Sequence, residues 1–302
     1  IIRVQVSVVH VFIINEMLTN IYMYVIMAKF LPKLGWVGVK NRDRGYYPTI
    51  NIRKSRRDGI ERIYIWDENT GYTEGLNANG VSIISASMAT ISDEKGQGTT
   101  HEGTRSDYLS PDGKKIRTAL LEPTCHSALE SLVETELTGH TLVFNSERCY
   151  ILESSHRNGD FVYKIEEIIP PNICVRTNHG VLLPWAGYQR VADDPGHSRK
   201  RVSSEVRKIK SELGLNDSNT LDECMESILD HSDPNPQLNP CRIDDRTGYM
   251  KTTGQLALVP SKNTLYYRPV WSGINFDYDK LNNSDDKCYF EILSQRPLHT
   301  IN

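Results

Sequence analysis

The sequence predicts an α+β fold, in which helices and antiparallel strands pack as layers around a common core. Short apolar runs divided by turn residues, a pattern typical of strands, come first in the chain. Apolar residues at helical spacing then occur around residue 125 and again beyond residue 200. Further strand-like runs follow, and this order of strands, helices and strands again favours α+β layers.

The individual elements are predicted from these two periodicities. Pro123 places the start of the first helix near itself, because proline is tolerated only in the first turn of a helix. The polar, Gly- and Thr-rich stretch 92–110 is predicted to be a loop. The predicted strands are 36–39, 60–66, 81–88, 141–145, 149–153, 161–168, 256–259, 264–268 and 289–293, and the predicted helices are 117–136, 202–213 and 221–231.

The composition is that of an ordinary globular protein. The 302 residues include 35 Lys and Arg against 38 Asp and Glu, a net charge of −3, and 38% are hydrophobic. This balance argues against a nucleic-acid partner bound through bulk positive charge. No phosphate-binding loop, dinucleotide fingerprint or metal-ligand spacing occurs in the sequence. We therefore expect no cofactor and no metal.

The six cysteines are widely spaced, and no two form a C-x-x-C pair. This usage predicts reduced, buried thiols and a cytoplasmic location. The chain could form homo-oligomers, although no sequence pattern marks an interface.

Residues 1–27 differ in composition from the remainder, and we treat them as a doubtful extension of a single domain over 28–302. The segment is apolar, but His10, Asn15, Glu16 and Asn20 interrupt it. It lacks the run of about 18 apolar residues that a membrane span needs, so no membrane partner is expected. Met27 is a plausible initiator, and the alternative is an added N-terminal strand or helix.

Four short segments carry polar residues at predicted strand ends or at a helix start. They are 38–44 (GVKNRDR), 74–81 (EGLNANGV), 176–180 (RTNHG) and 203–207 (SSEVR). Each segment alone is explained by turn chemistry, since Asn and Gly tolerate left-handed backbone. Their order along the chain carries more information than any one of them.

The ordered set resembles the choloylglycine hydrolase and penicillin acylase group of N-terminal-nucleophile (Ntn) hydrolases, including the acyl-coenzyme A:6-aminopenicillanic acid acyltransferase-like branch. Residues 39–43 are similar to the family's strand-end G-R-N-x-D, 75–80 to its G-[ML]-N-E-x-G turn, 177–179 to T-N-H and 204–207 to S-x-x-R. The resemblance covers about residues 28–270. It implies a four-layer αββα sandwich with two stacked antiparallel sheets, and hydrolysis or acyl transfer at a linear C–N amide bond.

The resemblance also implies residue roles. The nucleophile is an N-terminal Cys on the first strand, whose own α-amine acts as the base. Asp43 would hold that amine, and Asn77 and Asn178 would donate to the oxyanion. Arg207 would belong to a charge network near the nucleophile, although Arg199 could take this role. The nucleophile position itself falls on Ala28.

Ala28 cannot attack a carbonyl, and three interpretations stay open. The chain is an inactive relative that binds a ligand on the same fold, Ala28 replaces an original Cys, or the first strand is misaligned. If the predicted groups form one catalytic pocket, they lie within about 10 Å of one another.

The expected ligand is a small-molecule acyl amide. Lys40 replaces the family's usual Arg and keeps its charge without the bidentate fork. Trp66 and Tyr72 lie near the motifs and could line an apolar acyl site, although core packing explains them equally.

Overall fold

The computed structural model describes residues 25–44, 46–88, 111–186, 220–229, 241, 251–270, 275–277 and 287–293. Within them the chain forms fourteen strands, three α-helices and a short 3-10 helix. The strands are β1 (Val25–Leu31), β2 (Gly35–Arg44), β3 (Thr49–Arg57), β4 (Ile60–Asp67), β5 (Thr73–Asn77), β6 (Ser82–Ala86), β7 (Gly139–Phe144), β8 (Cys149–Arg157), β9 (Asp160–Ile168), β10 (Cys174–Arg176), β11 (Lys251–Val259), β12 (Thr264–Pro269), β13 (Asn275–Asp277) and β14 (Tyr289–Ile292). The helices are α1 (Pro111–Ala119), α2 (Cys125–Glu134), α3 (Leu221–Ser227) and the 3-10 helix Pro260–Lys262.

The strands form two sheets. Sheet I has the order β10-β1-β2-β11-β12-β14, and sheet II has the order β13-β3-β4-β5-β6-β7-β8-β9. Neighbouring strands are antiparallel except at two edges, where β14 pairs parallel with β12 and β13 pairs parallel with β3. The β1–β2 hairpin is central to sheet I, because β10 adds to β1 and β11 adds to β2.

Three apolar clusters show how these elements stack. The largest lies between the sheets and joins Ile26 and Leu258 of sheet I to Ile65 and Phe144 of sheet II. A second covers the outer face of sheet II with α1 and α2. A third covers the outer face of sheet I with α3. The layers are therefore α-β-β-α, which confirms the predicted α+β fold class with two stacked sheets.

Pro123 marks a helix start, as predicted. Thr124 caps α2, and its side chain and that of Ser127 each bond the other's backbone N–H in a capping box. The predicted helix 117–136 is nevertheless two helices, because α1 ends at Ala119 and the chain turns before Pro123. The predicted helix 202–213 and loop 92–110 lie outside the described residues.

The boundary predicted at residue 27 is wrong. Val25, Ile26 and Met27 are buried in β1, and the register pairs them with β2. The strands β3 and β5 were not predicted, since the former ends in charged residues, of which the arginines are exposed, and the latter is short and polar.

The layer between the sheets is apolar at one end and charged at the other. The sequence of β2 (GWVGVKNRDR) shows the same change from apolar to charged residues. We call Lys40, Arg42, Arg44, Asp67 and Glu74 the charged end. We call Ala28, Trp36, Ile84, Phe144 and Leu258 the apolar half. All ten residues are buried. In the apolar half the sheets approach closely at Gly38, where a Cβ would lie 2.3 Å from the Phe144 ring.

Candidate functional site

The charged end consists of three cations from sheet I and two carboxylates from sheet II. Alternation along β2 points Lys40, Arg42 and Arg44 to the same face, toward sheet II. Lys40 Nζ lies 2.5 Å from Glu74 Oε1, and Arg42 Nη1 lies 2.7 Å from Glu74 Oε2. Arg44 Nε donates to Asp67 Oδ2 at 3.0 Å, and Arg42 Nη2 lies 3.6 Å from the same oxygen. Each carboxylate thus serves two cations.

Lys40 has further contacts besides its ion pair with Glu74. Its ammonium also donates to the carbonyl of Ser85 at 2.5 Å and lies 4.9 Å from the centre of the Tyr72 ring. Burial lowers the pKa of Lys40 to about 7, Glu74 opposes that shift, and Arg42 and Arg44 lower the pKa further. Lys40 and Tyr72, both predicted to bind substrate, therefore lie together inside the protein.

The N-terminal end of β1 lies between two strand ends that carry predicted site residues. On one side Val25 pairs with Asn41, two residues before Asp43. On the other side β10 pairs with β1 through Arg176, two residues before Asn178. Asp43 and Asn178 are both buried. The structure therefore brings these two residues to the flanks of the same strand end.

The two side chains lie on different faces of sheet I. Asp43 alternates with Arg42, so it faces away from sheet II, and its Oδ1 accepts from Thr252 Oγ1 at 2.7 Å. Asn178 turns toward sheet II, because its Nδ2 donates to the carbonyl of Ser87 at 2.6 Å. A group at the start of β1 would have a carboxylate on one face and an amide on the other.

The segment that follows Asn178 is anchored by a buried carboxylate on β8. Glu153 accepts the backbone N–H groups of residues 181, 182 and 183 at 2.8, 3.0 and 2.6 Å. His140, opposite Glu153 in the sheet, donates through Nε2 to the carbonyl of His179 at 2.9 Å. Burial lowers the pKa of His140 to about 3. This network fixes the backbone on the C-terminal side of Asn178.

The predicted nucleophile position is not at this strand end. Ala28 pairs with Gly38 and Cys174 and lies in the apolar half. Asp43 is five positions beyond Gly38 on β2, about 16 Å along an extended strand. The placement of Ala28 beside Asp43 is therefore wrong, and the reason is the register of the β1–β2 hairpin, whose turn lies at residues 32–34.

The side-chain amide of Asn77 is used for structure. Its Nδ2 donates to the carbonyls of Leu120 and Glu122 at 3.1 and 2.8 Å. Its Oδ1 accepts from the backbone N–H groups of Asn79 and Val81, each at 3.0 Å. Asn77 therefore ties the β5–β6 turn to the chain after α1, and it is not placed to donate to an oxyanion beside Asp43.

Trp66 does not line the same space. The guanidinium groups of Arg53 and Arg117 lie 4.3 and 4.2 Å from its ring centre, and the ring packs against the cluster under α1 and α2. Arg207 and its alternative Arg199 lie outside the described residues. Of the predicted catalytic residues that the structure describes, Asp43 and Asn178 are the two that flank the start of β1.

Sequence reasoning missed the carboxylates Asp67, Glu74 and Glu153. The signal for the first two was present in β2, because Lys, Arg and Arg at alternate positions of a buried strand require buried partners of opposite charge. No comparable signal identified Glu153, since its partners are backbone N–H groups of a distant segment.

The described thiols do not supply a nucleophile. All six cysteines are buried. Burial raises the pKa of Cys174 to about 11 and of Cys224 to about 12, so these thiols stay protonated and inert near neutrality. Cys174 is the cysteine paired with β1, opposite Ala28.

Comparisons with known proteins add little beyond this geometry. No protein-family model and no curated protein matches the sequence. One solved structure to which the chain is similar is penicillin V acylase from Agrobacterium tumefaciens, with 11% identity over 81% of this chain and 86% of that chain and a TM-score of 0.45. Similarity at this level carries no argument about activity, and the fold assignment rests on the sheets and clusters described above. None of the described helices is long and apolar enough to cross a membrane.

Proposed function

We propose that the chain is an Ntn-type hydrolase or acyltransferase of linear amide bonds, with its reacting position directly before Val25. The observation that carries this proposal is the register on both sides of β1. Val25 pairs with Asn41, and β10 pairs through Arg176, so Asp43 and Asn178 flank the beginning of the strand. This placement replaces Ala28 as the candidate reacting position.

The flanking groups suit amide cleavage. A carboxylate such as Asp43 orients the neutral α-amine, which takes the proton of the nucleophile, and an amide such as Asn178 donates to the oxygen of a tetrahedral intermediate. The nucleophile bonds to the carbonyl carbon, the C–N bond breaks, and the leaving amine takes the proton. Water or an acceptor amine then receives the acyl group and releases the nucleophile. The expected substrate is a small acyl amide.

A second candidate is a binding protein on the same fold, without turnover. A specific observation favours it: residues 20–30 contain no Cys, Ser or Thr. An acyl amide would then bind between Asp43 and Asn178 without being cleaved.

The deciding experiment compares two cysteine substitutions. One chain would begin at Met23 and carry Tyr24→Cys, and the matched control would begin at Met27 and carry Ala28→Cys, so that removal of the first methionine exposes the new cysteine in each chain. Hydrolysis of a panel of acyl amides is measured by release of the free amine. We expect turnover from the Tyr24→Cys chain alone, and its loss when Asp43→Asn is added.

Other outcomes discriminate between the proposals. Turnover by the Ala28→Cys chain alone would restore the original placement of the nucleophile. If neither chain turns over any amide but the unsubstituted protein binds one in calorimetry, the binding function replaces the hydrolase. Terminal sequencing of the protein expressed from its native gene identifies the residue that precedes Val25 in the mature chain.

A further inference from the structure

β9 presents an edge that no described strand covers. It is the last strand of sheet II, and β8 pairs with it along its full length on one side. A nine-residue edge of this kind offers a row of backbone N–H and C=O groups for pairing with another chain. Large apolar side chains are exposed here, with Tyr163 46%, Ile165 43% and Ile169 62% accessible.

The charges on β9 suggest which chain pairs with it. Lys164 and Glu166 are exposed, and they flank Ile165 symmetrically. When a strand pairs antiparallel with its own copy about a two-fold axis, residues equally spaced from the axis lie opposite one another. A symmetric arrangement of opposite charges therefore makes a strand complementary to itself.

We propose that two copies of this chain associate by antiparallel pairing of β9, with the two-fold axis at Ile165. Lys164 then lies opposite the partner's Glu166, and Ile165 lies opposite the partner's Ile165. Each charge pair occurs twice, once on each side of the axis. The half-buried Phe161 falls opposite the partner's Ile169, so the exposed side chain of Ile169 is also covered. Sheet II becomes continuous across the dimer.

Repulsion between like charges disfavours the neighbouring registers and so specifies the proposed one. A two-fold axis perpendicular to the sheet keeps each side chain on its own face, so the axis can move only in whole-residue steps. An axis at Lys164 would place that lysine opposite the partner's Lys164. An axis at Glu166 would place that glutamate opposite the partner's Glu166. Like charges directly opposite destabilise a sheet, so both shifted registers are disfavoured.

The first test is a charge swap on the full chain. Molecular mass in solution is measured by light scattering at tens of micromolar, for the unsubstituted protein, Lys164→Glu, Glu166→Lys and the double swap. We expect twice the 34.4 kDa of one chain for the unsubstituted protein and the double swap. Each single reversal places like charges opposite one another twice and should raise the dimer dissociation constant at least tenfold.

Lys114→Glu is the matched control, because it makes the same charge change on an exposed residue of α1. It should leave the mass unchanged, and circular dichroism confirms that every variant is folded. A monomeric unsubstituted protein overturns the proposal. So does a dimer that both single reversals leave intact.

The second test reads the register directly. Ile165→Cys places two thiols opposite each other at the axis and should give a disulfide-linked dimer on mild oxidation. Tyr163→Cys would leave its two thiols about 13 Å apart, which is too far for a disulfide. The six native thiols are buried, so the added cysteine is the reactive one. Equal cross-linking of the two variants would overturn the proposed register.

Discussion

The charged end and the apolar half belong to the same two sheets but are held together by different physics. In the apolar half, Trp36, Ile84 and Phe144 pack around the close approach at Gly38, so burial of apolar surface stabilises the contact. At the charged end, Glu74 and Asp67 hold cations that burial would otherwise disfavour. One end of the sandwich therefore tolerates changes in charge poorly, and the other tolerates changes in volume poorly.

The largest expected effect is at Glu74, which serves two cations. Glu74→Gln keeps the shape but removes the negative charge between Lys40 and Arg42. Removing one partner of a buried ion pair costs about 3–5 kcal/mol. Urea unfolding should show a loss of stability of this size.

The second-site variant Lys40→Met tests the cause of that loss. In the Glu74→Gln background, removing Lys40 should recover part of the lost stability, because one of the two stranded cations disappears. If Glu74→Gln alone costs less than about 1 kcal/mol, the value of an exposed pair, the pairs at the charged end do not stabilise the fold.

The next effect separates two asparagines for which the sequence predicted the same role. Asn77→Ala removes an amide that satisfies two carbonyls and two N–H groups. Leaving such buried groups unsatisfied should cost about 2–3 kcal/mol in urea unfolding. Asn178→Ala removes the bond to Ser87 and should cost about 1 kcal/mol.

Activity or ligand binding should depend on the two asparagines in the opposite order to stability, with the larger loss in Asn178→Ala. Asn178→Ala should abolish turnover in the Tyr24→Cys chain, whereas Asn77→Ala should leave it intact at a temperature where the variant is folded. A loss of turnover only in Asn77→Ala would return that residue to the site.

Much of the difference between the charged end and the apolar half could be predicted from sequence. The features that could not be predicted have physical causes. The strand β2 was predicted from Trp36 onward, and its change from apolar to charged residues is visible in the sequence. Asp43 and Asn178 were correctly placed at strand ends. Ala28 was misplaced because strand pairing depends on the register of the hairpin, which side-chain type alone does not determine.

Asn77 shows a second limit. The same residue type suits an oxyanion donor and a turn, and only the carbonyls of residues 120 and 122, distant in sequence, decide between them. Likewise, β5 lacks the apolar alternation by which strands are predicted, and in β3 this alternation is limited to Ile50 and Ile52, so pairing with neighbouring strands determines their conformation.

The contribution of the charged end to stability should depend on pH, because Lys40 titrates there, and this distinguishes it from the apolar half. The pKa of Lys40 falls from 10.5 to about 7 on burial, so between these values the unfolded chain holds a proton that the folded chain has lost. Stability then rises with pH, because the unfolded state binds more protons. From pH 7 to 9 the unsubstituted protein should gain about 2 kcal/mol relative to Lys40→Met. Parallel stability–pH curves for the two proteins would contradict this assignment.

The smallest expected effect is in the apolar half and should be independent of pH. Ile84→Val deletes one methylene beside Gly38, where the two sheets approach closely. Such a deletion costs about 1 kcal/mol through lost burial and a small cavity, and neither contribution involves a proton. The loss in urea unfolding should therefore be the same at pH 7 and pH 9. If it instead changed with pH as in Lys40→Met, the titration of Lys40 would be coupled to packing across the layer, and the two ends would not be energetically separate.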